Sequence, residues 1–196
     1  MSKQVEFFFD VGSPASYLAW TQLPSLCLST GSSLIYRPML LGGVFQAVGN
    51  ASPAAIPAKG VYSTTDLGRY AKRYGVTLVQ NPHFPIITLT LMRVATGVQI
   101  RMPERLPDFL EAIFKAIWVN SLNLNDPTLV ARTLSDAGFD STAIVNLASD
   151  ADIKAALRAT TEEAVARGAF GAPTMFIEGQ MYFGQDRLDF VRDALS

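Results

Sequence analysis

The sequence predicts an α/β fold in which a β-α-β opening and a β-β-α closure share one sheet, with a large all-helical insertion between the second and third strands. Three observations predict it. Runs rich in β-branched and aromatic residues occur only near the two ends, at Val5–Val11, Leu34–Pro38 and Thr174–Phe183, and strands so confined must meet in one sheet. Between them the apolar residues recur at helical spacing. The segment joining the first two strands is long enough for a right-handed parallel crossover.

Taken in order, Val5–Val11 suits a buried strand that stops at Gly12. Ser13 stands where a helix N-cap belongs and Pro14 takes the first helical position, where its fixed φ fits and its missing N–H leaves no donor unpaired. That helix should run to about Leu28, disturbed in its middle by Pro24. Thr30-Gly31-Ser32-Ser33 is a turn, and Leu34–Pro38 the second strand. From Leu41 to Pro57 the chain is rich in Gly, Ala, Asn and Pro, which reads as a long irregular loop, a lid or the departure point of an insertion. Helices are expected at Asp66–Tyr74 and Thr88–Thr96, stopped by Gly75 and Gly97. The strongest amphipathic pattern is Pro107–Val119, where Phe109, Leu110, Ile113, Phe114, Ile117 and Trp118 form a core stripe.

Asp126-Pro127 caps and opens a helix to Ala137-Gly138, Ser141–Leu147 forms another, and Asp150–Arg167 closes the series at Gly168. Thr174–Ile177, the turn Glu178-Gly179-Gln180 and Met181–Phe183 make a hairpin. Gly184-Gln185-Asp186 then caps a terminal helix carrying Leu188, Val191 and Leu195. The expected division is a discontinuous domain of residues 1–42 and 169–196, with residues 43–168 as the inserted helical domain.

Composition narrows the function. At 196 residues, with 49% hydrophobic and 17% charged, the chain has material for a real core. A net charge of −1 offers no basic field, so neither nucleic acid nor anionic lipid is an expected partner. No stretch reads as a membrane span, and Glu6 and Asp10 interrupt the first apolar run without a cleavage site after it, so a cytoplasmic location is expected. Cys27 stands alone between Leu26 and Leu28, which excludes an internal disulfide and favours a buried structural thiol. With His83 as its one histidine, in the loop Asn81-Pro82-His83-Phe84-Pro85, the chain has no multi-histidine metal site, and no metal is expected.

Ser13 is therefore the candidate reactive position. It sets a hydroxyl beside the free N–H groups of a helix start, at the carboxyl end of the first strand, which makes an anion site with a polar hydrogen before it. Gly171-Ala172-Pro173-Thr174, ahead of the third strand, looks like the cis-proline loop of thioredoxins, whose element order this chain follows. Where thioredoxins carry CxxC, this chain has Ser13-Pro14-Ala15-Ser16, which excludes thiol-disulfide exchange at that place.

The run Ser13-Pro14-Ala15-Ser16-Tyr17-Leu18-Ala19 after Phe9-Asp10 resembles the kappa-class glutathione transferases and, within that group, the bacterial 2-hydroxychromene-2-carboxylate isomerases. Gly49-Asn50, Lys59-Gly60, Phe170–Phe176 and Phe183–Leu188 extend the likeness over essentially the whole chain. The resemblance implies a thioredoxin-like fold, glutathione as co-substrate and a homodimer. It implies that Ser13 donates to the glutathione sulfur and that the Ala172 backbone, beside Pro173, pairs with the cysteinyl backbone. Gln185 and Asp186, with Arg187 close by, would hold the γ-glutamyl end, and Asn50 and Lys59 the glycine end. Ser13 and Asp186 are good helix caps in any case, and Lys59 also reads as a solvated loop charge.

The implied reaction interconverts 2-hydroxychromene-2-carboxylate and trans-o-hydroxybenzylidenepyruvate in naphthalene-type aromatic catabolism. The substrate, a small aromatic 2-oxo acid, needs a cation for its carboxylate, for which Arg37 and Lys59 are the alternatives, and an apolar wall, for which Trp118 and the loop holding His83 are candidates. A kappa-type transferase or peroxidase acting on another small electrophile, or an idle thioredoxin-like module that captures extended peptides, fits the same residues.

Overall fold

The computed structural model describes residues 2–196. Its strands are β1 (Gln4–Phe9), β2 (Ser33–Pro38), β3 (Thr174–Ile177) and β4 (Gln180–Phe183). Its helices are α1 (Pro14–Thr30), α2 (Leu41–Val48), α3 (Pro57–Tyr74), α4 (Leu89–Arg101), α5 (Leu106–Trp118), α6 (Pro127–Asp136), α7 (Ser141–Asn146), α8 (Ala151–Ala166) and α9 (Leu188–Leu195). The sheet runs β2-β1-β3-β4, with β1 parallel to β2 and β3 antiparallel to both β1 and β4. Phe7 lies opposite Tyr36 on one side and Met175 on the other. The two ends of the chain thus meet in one mixed sheet, the thioredoxin-like arrangement.

Side-chain alternation divides the three consecutive phenylalanines of β1 between the two faces. Phe7 and Phe9 join Val5, Met175 and Ile177 in the larger core, which α1, α4 and α5 also fill. Phe8 points the other way and meets Phe176, Met39, Val44 of α2 and Ala164 of α8. Over that second face lie two arginines, Arg37 above Phe8 at 5.0 Å and Arg167 above Phe176 at 3.9 Å. Both are tied to Glu6 and Glu163, with Arg167 at 2.6 Å from Glu6 and 2.9 Å from Glu163. The Arg167 hydrogen bond is the main cause that holds the Glu6 carboxyl below its usual 4.5.

Three expectations are corrected. The stretch Leu41–Pro57 is not wholly irregular, because α2 forms over Leu41–Val48 despite Gly42-Gly43. Its start is fastened from outside by the Asp10 carboxylate, and Val44 is buried in the second core. Second, α3 starts at Pro57, well before Asp66, with Pro57 at its first position and Gly75 closing it at φ 68°. Its first half, holding Gly60, Val61, Thr64 and Thr65, is exposed and weak in helix formers, which hid it from pattern reading. Third, Gly97 does not stop α4 but lies inside it, where a Cβ would come within 2.9 Å of Ile153 and Leu147. It lets α8 and the turn before it pack close. Pro24, in contrast, stays within an unbroken α1.

The division drawn at 42/43 falls inside α2, and α8 packs back on β2 and α2, so helices of the inserted stretch cover one face of the sheet. Cys27 is buried, and burial pushes its thiol up to about 11. Among the described residues no helix is long and apolar enough to cross a membrane.

Candidate active site

The site is built on the elbow between β1 and α1. Asp10, the first residue past β1, is 1% exposed, and its carboxylate accepts from the Gly12 N–H at 2.9 Å, the Leu41 N–H at 2.9 Å and the Thr88 hydroxyl at 3.0 Å. One side chain thereby joins the starts of α1, α2 and α4. Burial raises the Asp10 pKa, and these three donors oppose the rise. Neighbouring bonds complete the anchoring: Trp118 Nε1 donates to the Val11 carbonyl at 2.9 Å, and the Val11 N–H points at Met92 Sδ at 3.4 Å. Gly12 has no room for a side chain, since a Cβ would lie 2.7 Å from Thr88 Cγ2.

Ser13 follows in extended conformation as the N-cap of α1. Its Oγ accepts from the Ser16 N–H at 3.1 Å and donates to the Ala172 carbonyl at 3.0 Å. The Ala172–Pro173 peptide is cis. Residues 159 positions apart are thus in direct contact, and the hydroxyl at the helix start touches the backbone edge ahead of β3.

From that edge the structure reaches the other predicted residues. The Gly184 N–H donates to the Pro173 carbonyl at 3.0 Å, which carries Gln185, Asp186 and Arg187 beside the loop. Gly184 is held at φ 99°, and a Cβ on it would strike Asp186 Oδ1, so only glycine leaves this carboxylate its place. Asp186 is ion-paired with Arg187. Gln185 is buried, and its carbonyl accepts from the Tyr74 hydroxyl, whose own pKa burial pushes up to about 12. On the other side of the loop Asn50 Nδ2 donates to the Phe170 carbonyl at 2.9 Å. The turn after Asn50, Pro53–Ala55, packs against Gly60 in the first turn of α3, beside Lys59. Lys59 is exposed and makes no ion pair among the described residues.

The structure gives other work to the residues singled out for the electrophile. Arg37 is engaged by Glu6 and Glu163 on the second face of the sheet. Trp118 is 1% exposed and braces the elbow from within the core, so it does not line a wall. His83 is exposed on its loop, with its backbone N–H on Asn81 Oδ1 at 2.8 Å. Sequence reading also missed the linking roles of Asp10, Thr88 and Tyr74. An acid directly after three buried phenylalanines was the available signal for the first, because a carboxylate there must be met by donors.

The family profile described as a DSBA-like thioredoxin domain matches residues 4–196. A 2-hydroxychromene-2-carboxylate isomerase of Sphingobium xenophagum is 31% identical over 197 residues, covering 100% of this chain and 99% of its own length. Human glutathione S-transferase kappa 1 is 28% identical over 211 residues, covering 100% of this chain and 92% of its own length. The solved structure of a 2-hydroxychromene-2-carboxylate isomerase superposes with a TM-score of 0.85 at 29% identity, over 98% of this chain and 94% of that one. With the cis-proline loop seated on a helix that starts at serine, these likenesses make the chain a member of the DsbA-like thioredoxin-domain family, among the relatives of the 2-hydroxychromene-2-carboxylate isomerases and kappa-class glutathione transferases.

Proposed function

We propose that the chain is a glutathione-dependent isomerase that interconverts 2-hydroxychromene-2-carboxylate and trans-o-hydroxybenzylidenepyruvate. The observation that carries the reading is the Ser13 hydroxyl, at the head of α1 and 3.0 Å from the Ala172 carbonyl. The donor set suits glutathione. Asp186 matches an ammonium, Lys59 and Asn50 match a carboxylate, and the Ala172 backbone matches a peptide group. Bound glutathione supplies a thiolate whose reversible addition to the alkene carbon of the 2-oxo acid turns the double bond single long enough to rotate.

The chain's own part begins with one proton. Ser13 gives it to the Ala172 carbonyl and must turn it toward the sulfur. The carbonyl so vacated is free to accept the cysteinyl N–H, so binding the peptide group and releasing the hydroxyl are one exchange. A hydrogen bond to a charge stabilises by about 1.5–3 kcal/mol and a helix start by up to about 2 kcal/mol. Together they lower a thiol pKa of about 8.5 by more than one unit, from a state only about 3% ionised at pH 7. Better ionisation gains only a few-fold in rate after the loss of nucleophilicity. The larger share comes from holding sulfur against carbon. The resemblance also implies a role in aromatic catabolism and a homodimer, and these, with the cytoplasmic location expected from the sequence, belong to the proposal.

The test is an absorbance assay of the isomerisation with and without glutathione, on wild type and Ser13→Ala. We expect turnover to require glutathione and to fall a few-fold at pH 7 in Ser13→Ala, with part of the loss recovered at higher pH. Turnover without glutathione, or an unchanged Ser13→Ala, rejects the reading. One observation favours a second one. Because Arg37 is held by Glu6 and Glu163, it is not free for a substrate carboxylate, which suits a transferase or peroxidase acting on an uncharged electrophile. Glutathione binding without isomerisation would select it. No glutathione binding would select the idle peptide-capturing module.

A further inference from the structure

The sheet ends on β4, whose outer side pairs with no strand among the described residues. The register tells which backbone groups lie bare there. In an antiparallel pair, opposed residues alternate between exchanging two hydrogen bonds and exchanging none. The two-residue turn Glu178-Gly179 joins β3 to β4, and the Gly184 N–H donates to the Pro173 carbonyl, so the bonded pairs are Ile177–Gln180, Met175–Tyr182 and Pro173–Gly184. The N–H and C=O groups of Met181 and Phe183 therefore point outward. Such an edge is a template for a further strand, and chains usually guard it with lysine, proline or a bulge. β4, with the sequence Gln-Met-Tyr-Phe in unbroken register, has none of these.

Apolar side chains gather there instead. Met181 and Phe183 are exposed, the Phe183 ring lies 4.4 Å from that of exposed Phe170, and Phe190 of α9 is 58% exposed. Met181, Phe183 and Phe190 share with Glu178 and Arg187 a groove of about 710 Å³ between β4 and α9. We propose that β4 pairs antiparallel with the β4 of a second copy of this chain, about a two-fold axis at Tyr182, with Met181 opposite the second copy's Phe183 and Phe183 opposite its Met181. That register uses every outward backbone group of the two residues and sets a methionine sulfur against an aromatic ring twice. It joins the two four-stranded sheets into one, with α9 and its Phe190 from each copy on the same face. The same rotation carries the acidic turn, with Glu178, toward the second copy's Arg187, so the charges of the face answer each other. A partner of a single charge sign would meet one of them with its like. This names the face of the homodimer that is part of the proposed function and rests on that homodimer, but not on glutathione.

Light scattering and sedimentation of the full chain at micromolar concentration test it, with circular dichroism as the check of folding. We expect the wild type to be a dimer. Met181→Lys, which sets the usual guard on the edge, should weaken association at least about tenfold with the fold intact. Glu178→Arg, on the turn, should weaken it a few-fold by facing Arg187 with its like, and Arg187→Glu added to it should restore the wild-type value. Should Met181→Lys not fold, the charge pair decides alone. A dimer indifferent to Met181→Lys and to Glu178→Arg overturns the face and leaves the homodimer standing. A monomeric wild type overturns both, and leaves the edge to a strand of another protein. A chain that dimerises as expected but binds no glutathione in calorimetry loses the proposed function and keeps this interface.

Discussion

Around Asp10 the polar groups are committed and mostly out of water, with the carboxylate, the Gly12 and Leu41 N–H groups, the Thr88 hydroxyl and the Val11 carbonyl all partnered. Around Asn50, Lys59 and Asp186 they stand at the surface and are held by few bonds, in Lys59 by no ion pair among the described residues. The inner region is rigid by over-determination. The outer one keeps its charges in water, where a ligand can exchange with solvent at little cost. On the proposed function, the difference separates what must not move, the seat of the reacting sulfur, from what must recognise and release.

Breaking the inner region should have the largest effect. Asp10→Ala leaves the buried Thr88 hydroxyl and two part-buried N–H groups without their acceptor, and should cost about 2–4 kcal/mol, a large part of a domain's stability. A lower urea midpoint, or failure to fold, checks this, and wild-type stability would break the comparison. Gly184→Ala tests the hinge between the regions. It forces a side chain into a left-handed backbone conformation and against Asp186, so we expect strain of about 1–3 kcal/mol and a tenfold or greater loss of glutathione affinity by calorimetry. Asn50→Ala, at the rim, removes two exposed bonds, to the Phe170 carbonyl and from the Ala51 N–H, and should weaken glutathione only a few-fold, with an unchanged urea midpoint.

The smallest effect concerns pH. Glu6, held below 4.5 chiefly by Arg167, contributes stability that is present above that value and is lost as pH falls through its lowered pKa. Glu6→Gln should flatten that acid limb in urea titrations run from about pH 5 downward. It should leave glutathione binding alone, because the cluster lies on the second face of the sheet.

Much of this was legible in the residues. The strands and the Ser13 cap with Pro14 behind it follow from local chemistry that does not depend on the rest of the chain, and the cis-proline loop from its likeness to that of thioredoxins. Where tertiary contact overrides local preference, reading failed. Gly42-Gly43 looks like a loop until Asp10, far away in sequence, caps the helix they begin. Gly97 looks like a stop until Ile153 and Leu147 need the space. Arg37 looked free for a ligand because its partners, Glu6 and Glu163, lie on other elements. The spacing of Trp118 marks it as core, and its burial leaves no face for the substrate wall for which it is also a candidate. The hydroxyl at Ser13 was legible, but its bond to Ala172 needed the fold.

The buried thiol of Cys27 has one more meaning. A protein that presents a thiolate to electrophiles day after day is exposed to its own substrates, which would alkylate any accessible sulfur within reach. Here the one native sulfhydryl is shielded inside α1 and kept protonated, with a pKa of about 11. If glutathione supplies the nucleophile, as proposed, the reacting sulfur is imported and leaves again with the ligand, so the catalyst should survive reagents that would consume a cysteine enzyme.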